Sequence, residues 1–138
     1  MSLPPLDTNV IIRFLTENPE SCPRKFRGVY SFFEKLEAGT LAVHLSDLVL
    51  FQTYFVLTSF YKVPHREAAE KLKYLIQFSG IRMNEKPVVV ACLEILQQRK
   101  LDLVDAYLLA WTEQNGIDSA YSFDSDLSKN GLHLLPIE

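Results

Sequence analysis

Residues 101–127 read LDLVDAYLLAWTEQNGIDSAYSFDSDL, and the reading of this stretch decides the fold. Asp102 is a good N-cap for a helix running to about Asn115, with Gly116 just beyond it as a stop. Ser119–Phe123 then reads as a strand, and Asp124 and Asp126 follow it directly in a turn rich in Asp and Ser. Helices alternating with strands imply βαβ units and a mostly parallel sheet. In such sheets ligands bind beyond the carboxyl ends of the strands. The residues just after each strand are therefore the ones to inspect.

Upstream, the same alternation repeats. Arg24 to Glu37 reads as a helix, because Phe26, Val29, Tyr30, Phe33 and Leu36 recur at three- and four-residue steps before Gly39. Thr40 to Leu45 reads as a short buried strand. Ser46 is an N-cap for a helix from Asp47 to about Tyr61. Pro64 opens another helix, whose apolar face is Ala68, Ala69, Leu72, Leu75 and Ile76, with Gly80 as its end. Ile81 to Asn84 reads as a strand, Pro87 to Gln98 as a helix and Leu132 to Leu135 as a last strand. A first strand ends at Leu6, although Pro4 and Pro5 disfavour a long one in the middle of a sheet.

The 138 residues are 48% hydrophobic and 22% charged, a globular composition that excludes a disordered chain. One domain over residues 1–138 is expected, hiding roughly two-thirds of the unfolded surface. The net charge of −3 excludes a basic, tail-driven nucleic-acid binder but leaves room for a local basic patch. Two cysteines, Cys22 and Cys92, form neither a disulfide scaffold nor a zinc spacing, so a reduced, cytoplasmic setting is expected. Neither a secretory signal nor an apolar run of about 18 residues is present, so no membrane span is expected.

Asp7, Asp105, Asp124 and Asp126 all fall at expected strand or helix ends. Each has a local use. Asp7 in Asp-Thr-Asn can cap the next helix, Asp105 suits the dipole of a first helical turn, and Asp124 and Asp126 form turns. Together they point further. Carboxylates converging in one crevice repel one another unless a cation joins them. Oxygen-only ligation suits Mg²⁺ or Mn²⁺, which can lower the pKa of a water and stabilise charge on a phosphoryl oxygen. A phosphoacceptor signalling domain would need an aspartate after the third strand, where this chain has Glu85-Lys86.

Three pieces, LDTNVIIRFL, LDLVDAYLLAW and YSFDSDL, resemble in order and spacing a PIN domain, in particular the small toxin ribonucleases of bacterial and archaeal toxin–antitoxin pairs (the VapC type). The resemblance spans nearly the whole chain. It implies an α/β fold, a Rossmann-like three-layer α/β/α sandwich with a mostly parallel sheet of about five strands. It also implies a divalent-metal-dependent endoribonuclease, a homodimer and a cognate antitoxin. Carried over, Asp7, Asp105 and Asp124 are metal-site acids, with Asp126 an additional or alternative one. Thr8 and Ser122 orient the carboxylates or a water, and Asn9 braces the turn.

One position departs from that pattern. A glutamate is expected on the helix after the second strand, and in SDLVLFQTYFVL that place holds Gln52. Glutamine keeps an oxygen ligand without the charge. Asp47 is no easy substitute, lying about 140° around the helix from Gln52. The alternative is thus a PIN-like domain with an impaired metal site, binding RNA or protein without cutting.

An RNA substrate needs nearby cations, for which Arg13, Arg24, Lys25, Arg27 and Lys129 are candidates; each also serves as an ordinary solvated residue. His44, His65 and His133 form no ligand pair. The aromatics Phe32 with Phe33, and Tyr54 with Phe51 and Phe55, cover more than one helical stripe, which suits a groove or an oligomer face.

Overall fold

Pro4 and Pro5 shape the start of the sheet. The computed structural model describes residues 2–138. Leu6 N–H donates to His44 C=O at 2.9 Å and His44 N–H donates to Pro4 C=O at 2.8 Å, so Pro5 makes a single parallel bridge to His44. N–H groups alternate between the two edges of a strand. The N–H that Pro5 lacks therefore belongs to the edge away from His44, and among the described residues no ladder continues past that edge.

The rest alternates as expected. Helix α1 is Thr8–Thr16 and α2 Gly28–Ala38, then strand β1 Val43–His44 and helix α3 Asp47–Phe55. Helix α4 (His65–Ile76) leads to β2 (Ile81–Arg82), α5 (Lys86–Gln98) and α6 (Leu103–Gln114). Strand β3 (Ser119–Ala120), α7 (Ser125–Lys129) and β4 (His133–Leu134) complete the chain. Strand β1 pairs with β2 and β3 with β4, both parallel, so the chain is α/β with parallel ladders and mostly helical.

The strands are shorter than the sequence pattern suggests, two residues each, and they form two separate ladders. Three further differences appear. The expected helix over Arg24 to Glu37 begins as a 3₁₀ turn, Arg24–Phe26, before α2. Helix α3 continues as a π-helical turn over Val56–Phe60. The turn after β3 closes into α7, because Asp124 Oδ1 accepts Asp126 N–H and caps it.

Caps were the most legible feature. Ser46 Oγ accepts Val49 N–H at 3.1 Å and Asp102 Oδ1 accepts Asp105 N–H at 2.8 Å. Gly39 takes the left-handed conformation (φ 79°) that closes α2, and its N–H donates to Leu36 C=O. Helix α5 packs between α4 and α6. Leu36, Leu45, Leu57, Leu72, Leu75 and Ile81 are fully buried in one core with them. His44, expected in the apolar interior, is half-buried.

The aromatics divide between inside and outside. Phe33 is buried and stacks on Phe14 with centroids 4.2 Å apart. Tyr54 is buried, with its hydroxyl 2.8 Å from His65 Nδ1. By contrast Leu48, Phe55, Phe60 and Tyr61 are exposed along the α3 face and its π turn.

Candidate metal centre

The capped start of α6 and the capped start of α7 bring three acids together. Among the described residues, Asp105, Asp124 and Asp126 present carboxylate oxygens that all lie within 4.8 Å of one another. The Asp102 cap places Asp105 in the first turn of α6, where its side chain is only 7% exposed. Ser122 Oγ accepts Asp124 N–H at 2.9 Å and fixes the backbone just before α7. Asp124 is half-buried and Asp126 exposed, so the group opens from the interior to solvent.

This geometry is electrostatically costly without a cation. Burial, a hydrogen bond with Asp124 and the charges of Asp102, Asp124 and Asp126 push the Asp105 carboxyl up to about 6 from its ordinary 3.8. Asp102 was legible only as a cap; its place one turn before Asp105 also makes it part of this negative field.

A stability prediction follows from the sign of that shift. Above pH 6 Asp105 is charged in both folded and unfolded chains, and only the folded one bears the cost. As pH falls through 6 towards 3.8 the folded form takes up the proton first. The Asp105 contribution therefore raises metal-free stability as pH falls from 7 to 5. Urea midpoints measured at pH 7, 6 and 5 for wild type and Asp105→Asn isolate it. The difference between the two proteins should shrink across that window, and a constant difference would contradict it.

Asp7 lies in a second locus. Its Oδ1 accepts Thr8 N–H at 2.7 Å, capping α1, and it is not one of the three converging acids. Thr8 Oγ1 donates to Gln52 Oε1 at 2.9 Å, and Thr53 Oγ1 donates to Val49 C=O at 2.7 Å beside it. Asp7, Asn9, Arg13, Gln52 and Phe60 line one open cleft of about 480 Å³. The expected residues thus fall into two groups, Asp7–Thr8–Asn9–Gln52 and Asp105–Ser122–Asp124–Asp126.

The cations are partly engaged. Arg13 pairs with Glu17 at 2.6 Å and lies 3.8 Å over the Phe26 ring. Arg27 Nε donates to Cys22 C=O at 3.1 Å. Arg13 and Lys25 line a groove of about 600 Å³ with Phe26, Val29 and Phe32. Arg24 is exposed in the 3₁₀ turn, and Lys129 is exposed three residues after Asp126, on the same side of α7.

Comparison with known proteins gives one family and one solved structure of note. The family described as PIN domain matches residues 6–131. The crystal structure of Mycobacterium tuberculosis VapC20, described as a sarcin-ricin loop cleaving toxin, is similar at 20% identity. That match covers 95% of this chain and 97% of that one, with a TM-score of 0.38. No curated protein matches.

Proposed function

Since the chain belongs to the PIN domain family, we propose that it is a divalent-metal-dependent endoribonuclease, the toxin of a toxin–antitoxin pair. The observation that carries this reading is the convergence of Asp105, Asp124 and Asp126 around a buried carboxyl whose ionisation is opposed by its neighbours. Three hard oxygen donors with that surplus of charge fit Mg²⁺ or Mn²⁺. Asp105, Asp124 and Asp126 would hold the ion. When bound, it supplies a more acidic water and a positive charge beside a phosphoryl oxygen.

The chain's own residues do the rest. Asp102 and Ser122 hold the backbones that carry Asp105 and Asp124. In this reading Asp7, Asp105 and Asp124 are the catalytic acids. Asp7 lines a cleft of its own, where Thr8, Asn9 and Gln52 set its surroundings. In this reading Arg13, Arg24, Lys25, Arg27 and Lys129 are the candidate RNA contacts. The exposed Leu48, Phe55, Phe60 and Tyr61 support a face for a second copy or an antitoxin. No helix among the described residues is long and apolar enough to cross a membrane. We assign residues 1–138 to one domain in a reduced, cytoplasmic setting.

Titration of Mn²⁺ and cleavage of a mixed RNA pool, with and without a chelator, test the proposal. Cleavage that survives chelation, or equal cleavage by wild type, Asp7→Asn and Asp124→Asn, overturns it.

A second reading, a module that binds RNA or protein without cutting, is favoured by one observation. Asp7 and Gln52 both spend oxygens on Thr8 rather than on the acid group. Gln52→Glu separates the two readings. If the site is active, the added charge should preserve or raise cleavage. If wild type binds no Mn²⁺ and Gln52→Glu does, the non-catalytic reading is correct.

A further inference from the structure

The hydroxyls around Gln52 fix which way its carboxamide faces. Thr8 and Thr53 are both buried, so each hydroxyl proton needs an acceptor. Thr53 Oγ1 donates to Val49 C=O at 2.7 Å. The same carbonyl lies 3.4 Å from Thr8 Oγ1, whereas Gln52 Oε1 lies at 2.9 Å. The single Thr8 proton therefore goes to Gln52 Oε1. With the amide flipped, that proton would be left with the longer contact, to a carbonyl that Thr53 already uses. A glutamate at this position would accept the same bond and turn a second oxygen away from Thr8. Glutamine turns Nε2 that way instead, and Nε2 carries two N–H donors.

We propose that Gln52 binds substrate rather than metal: its Nε2, aimed by Thr8, donates to a phosphate oxygen of the RNA strand in the cleft it shares with Asp7, Asn9 and Arg13. This rests on the nuclease reading above. Three observations support it. The oxygen that a cation would need is turned to Thr8, and the acids that converge are Asp105, Asp124 and Asp126. Asp7 and Arg13 are the only charged residues lining the cleft, so their charges offset one another. A glutamate in place of Gln52 would leave the lining negative and repel a phosphate. Arg13 spends one N–H on Glu17, and a guanidinium carries five, so it can serve the same anion. The bonds that aim the amide come from buried hydroxyls, so the donor is held before substrate arrives and little ordering cost remains.

The test is fluorescence anisotropy with a labelled oligoribonucleotide in the presence of a chelator, repeated with an uncharged methylphosphonate strand of the same sequence. Gln52→Met should weaken binding of the phosphodiester strand about tenfold. Its Mn²⁺ titration should match wild type. Thr8→Val should weaken RNA binding to a similar extent, Thr8→Ser should restore it, and the double variant should be no weaker than Gln52→Met alone. On the methylphosphonate strand Gln52→Met should make no difference. Gln52→Glu should then raise KM while cleavage at saturating RNA is kept. Unchanged RNA binding by Gln52→Met overturns the proposal. So does a loss of Mn²⁺ affinity in that variant, which would make Gln52 a ligand. Additive losses in the double variant overturn the role of Thr8, and an equal loss on the methylphosphonate strand moves the contact from the phosphate to a base and overturns the occupant. If the wild type binds RNA without cleaving it, the nuclease reading fails and the same anisotropy series still decides the role of Gln52. A wild type that binds neither strand overturns both.

Discussion

Asp105→Asn is expected to remove saturable Mn²⁺ binding and to slow RNA cleavage at least about 100-fold, while making the metal-free protein more stable. The two effects share one cause. Asp105 is nearly buried among Asp102, Asp124 and Asp126, which hold its carboxyl up to about 6. Asparagine keeps the shape and removes the charge. The repulsion among the remaining acids falls, so a rise in Tm of about 3 °C or more is expected at pH 7.5. The same substitution removes the most buried of the three oxygen donors. Calorimetric Mn²⁺ titration and a thermal scan on one preparation read both signs. A variant that loses Mn²⁺ binding and also loses stability would mean that Asp105 holds the fold, and the metal-site assignment would lose its support. Retained binding would dismiss Asp105 as a ligand.

Gly80→Ala carries the largest expected loss of stability. Gly80 N–H donates to Leu36 C=O at 2.8 Å, and its own carbonyl accepts Val43 N–H at 2.8 Å. The residue thus ties the end of α2 to β1 and β2. An added Cβ would lie 2.0 Å from the Leu41 carbonyl oxygen and 2.9 Å from that of Leu36. Both are backbone atoms, and the Leu36 carbonyl is held by the Gly80 N–H itself, so relief requires the backbone around Gly80 to shift. The cost should be about 3 kcal/mol or more, a Tm drop on the order of 10 °C. Gly28→Ala is the control, because nothing lies within 4 Å of a Cβ there. It should be neutral or slightly stabilising, since alanine is the better helix former. Similar urea midpoints for the two variants would refute the close approach.

Part of the fold could be read without coordinates. Ser46 and Asp102 were legible as caps because the bond each makes spans only three residues. The α4 core face was legible because Ala68, Ala69, Leu72, Leu75 and Ile76 share one stripe, and all are buried. Strand lengths were not legible. How far a strand runs depends on the partner it meets, and Pro5 presents no N–H to one edge. The helix over residues 125–129 was also missed, since Asp and Ser favour turns and caps alike.

The site divides in the same way. The sequence by itself determined the acids, their order and their places at element ends, which are facts of spacing and side-chain chemistry; the Gln52 departure was visible only against the PIN pattern that the chain resembles. Only the tertiary structure decided that Asp105, Asp124 and Asp126 converge while Asp7 and Gln52 gather around Thr8. It alone turned Tyr121 and Phe123 outward and Tyr54 inward. A cap is settled by a few neighbouring residues. The separation of two carboxylates on different helices is settled by how those helices pack, a sum of many contacts between residues far apart in the chain.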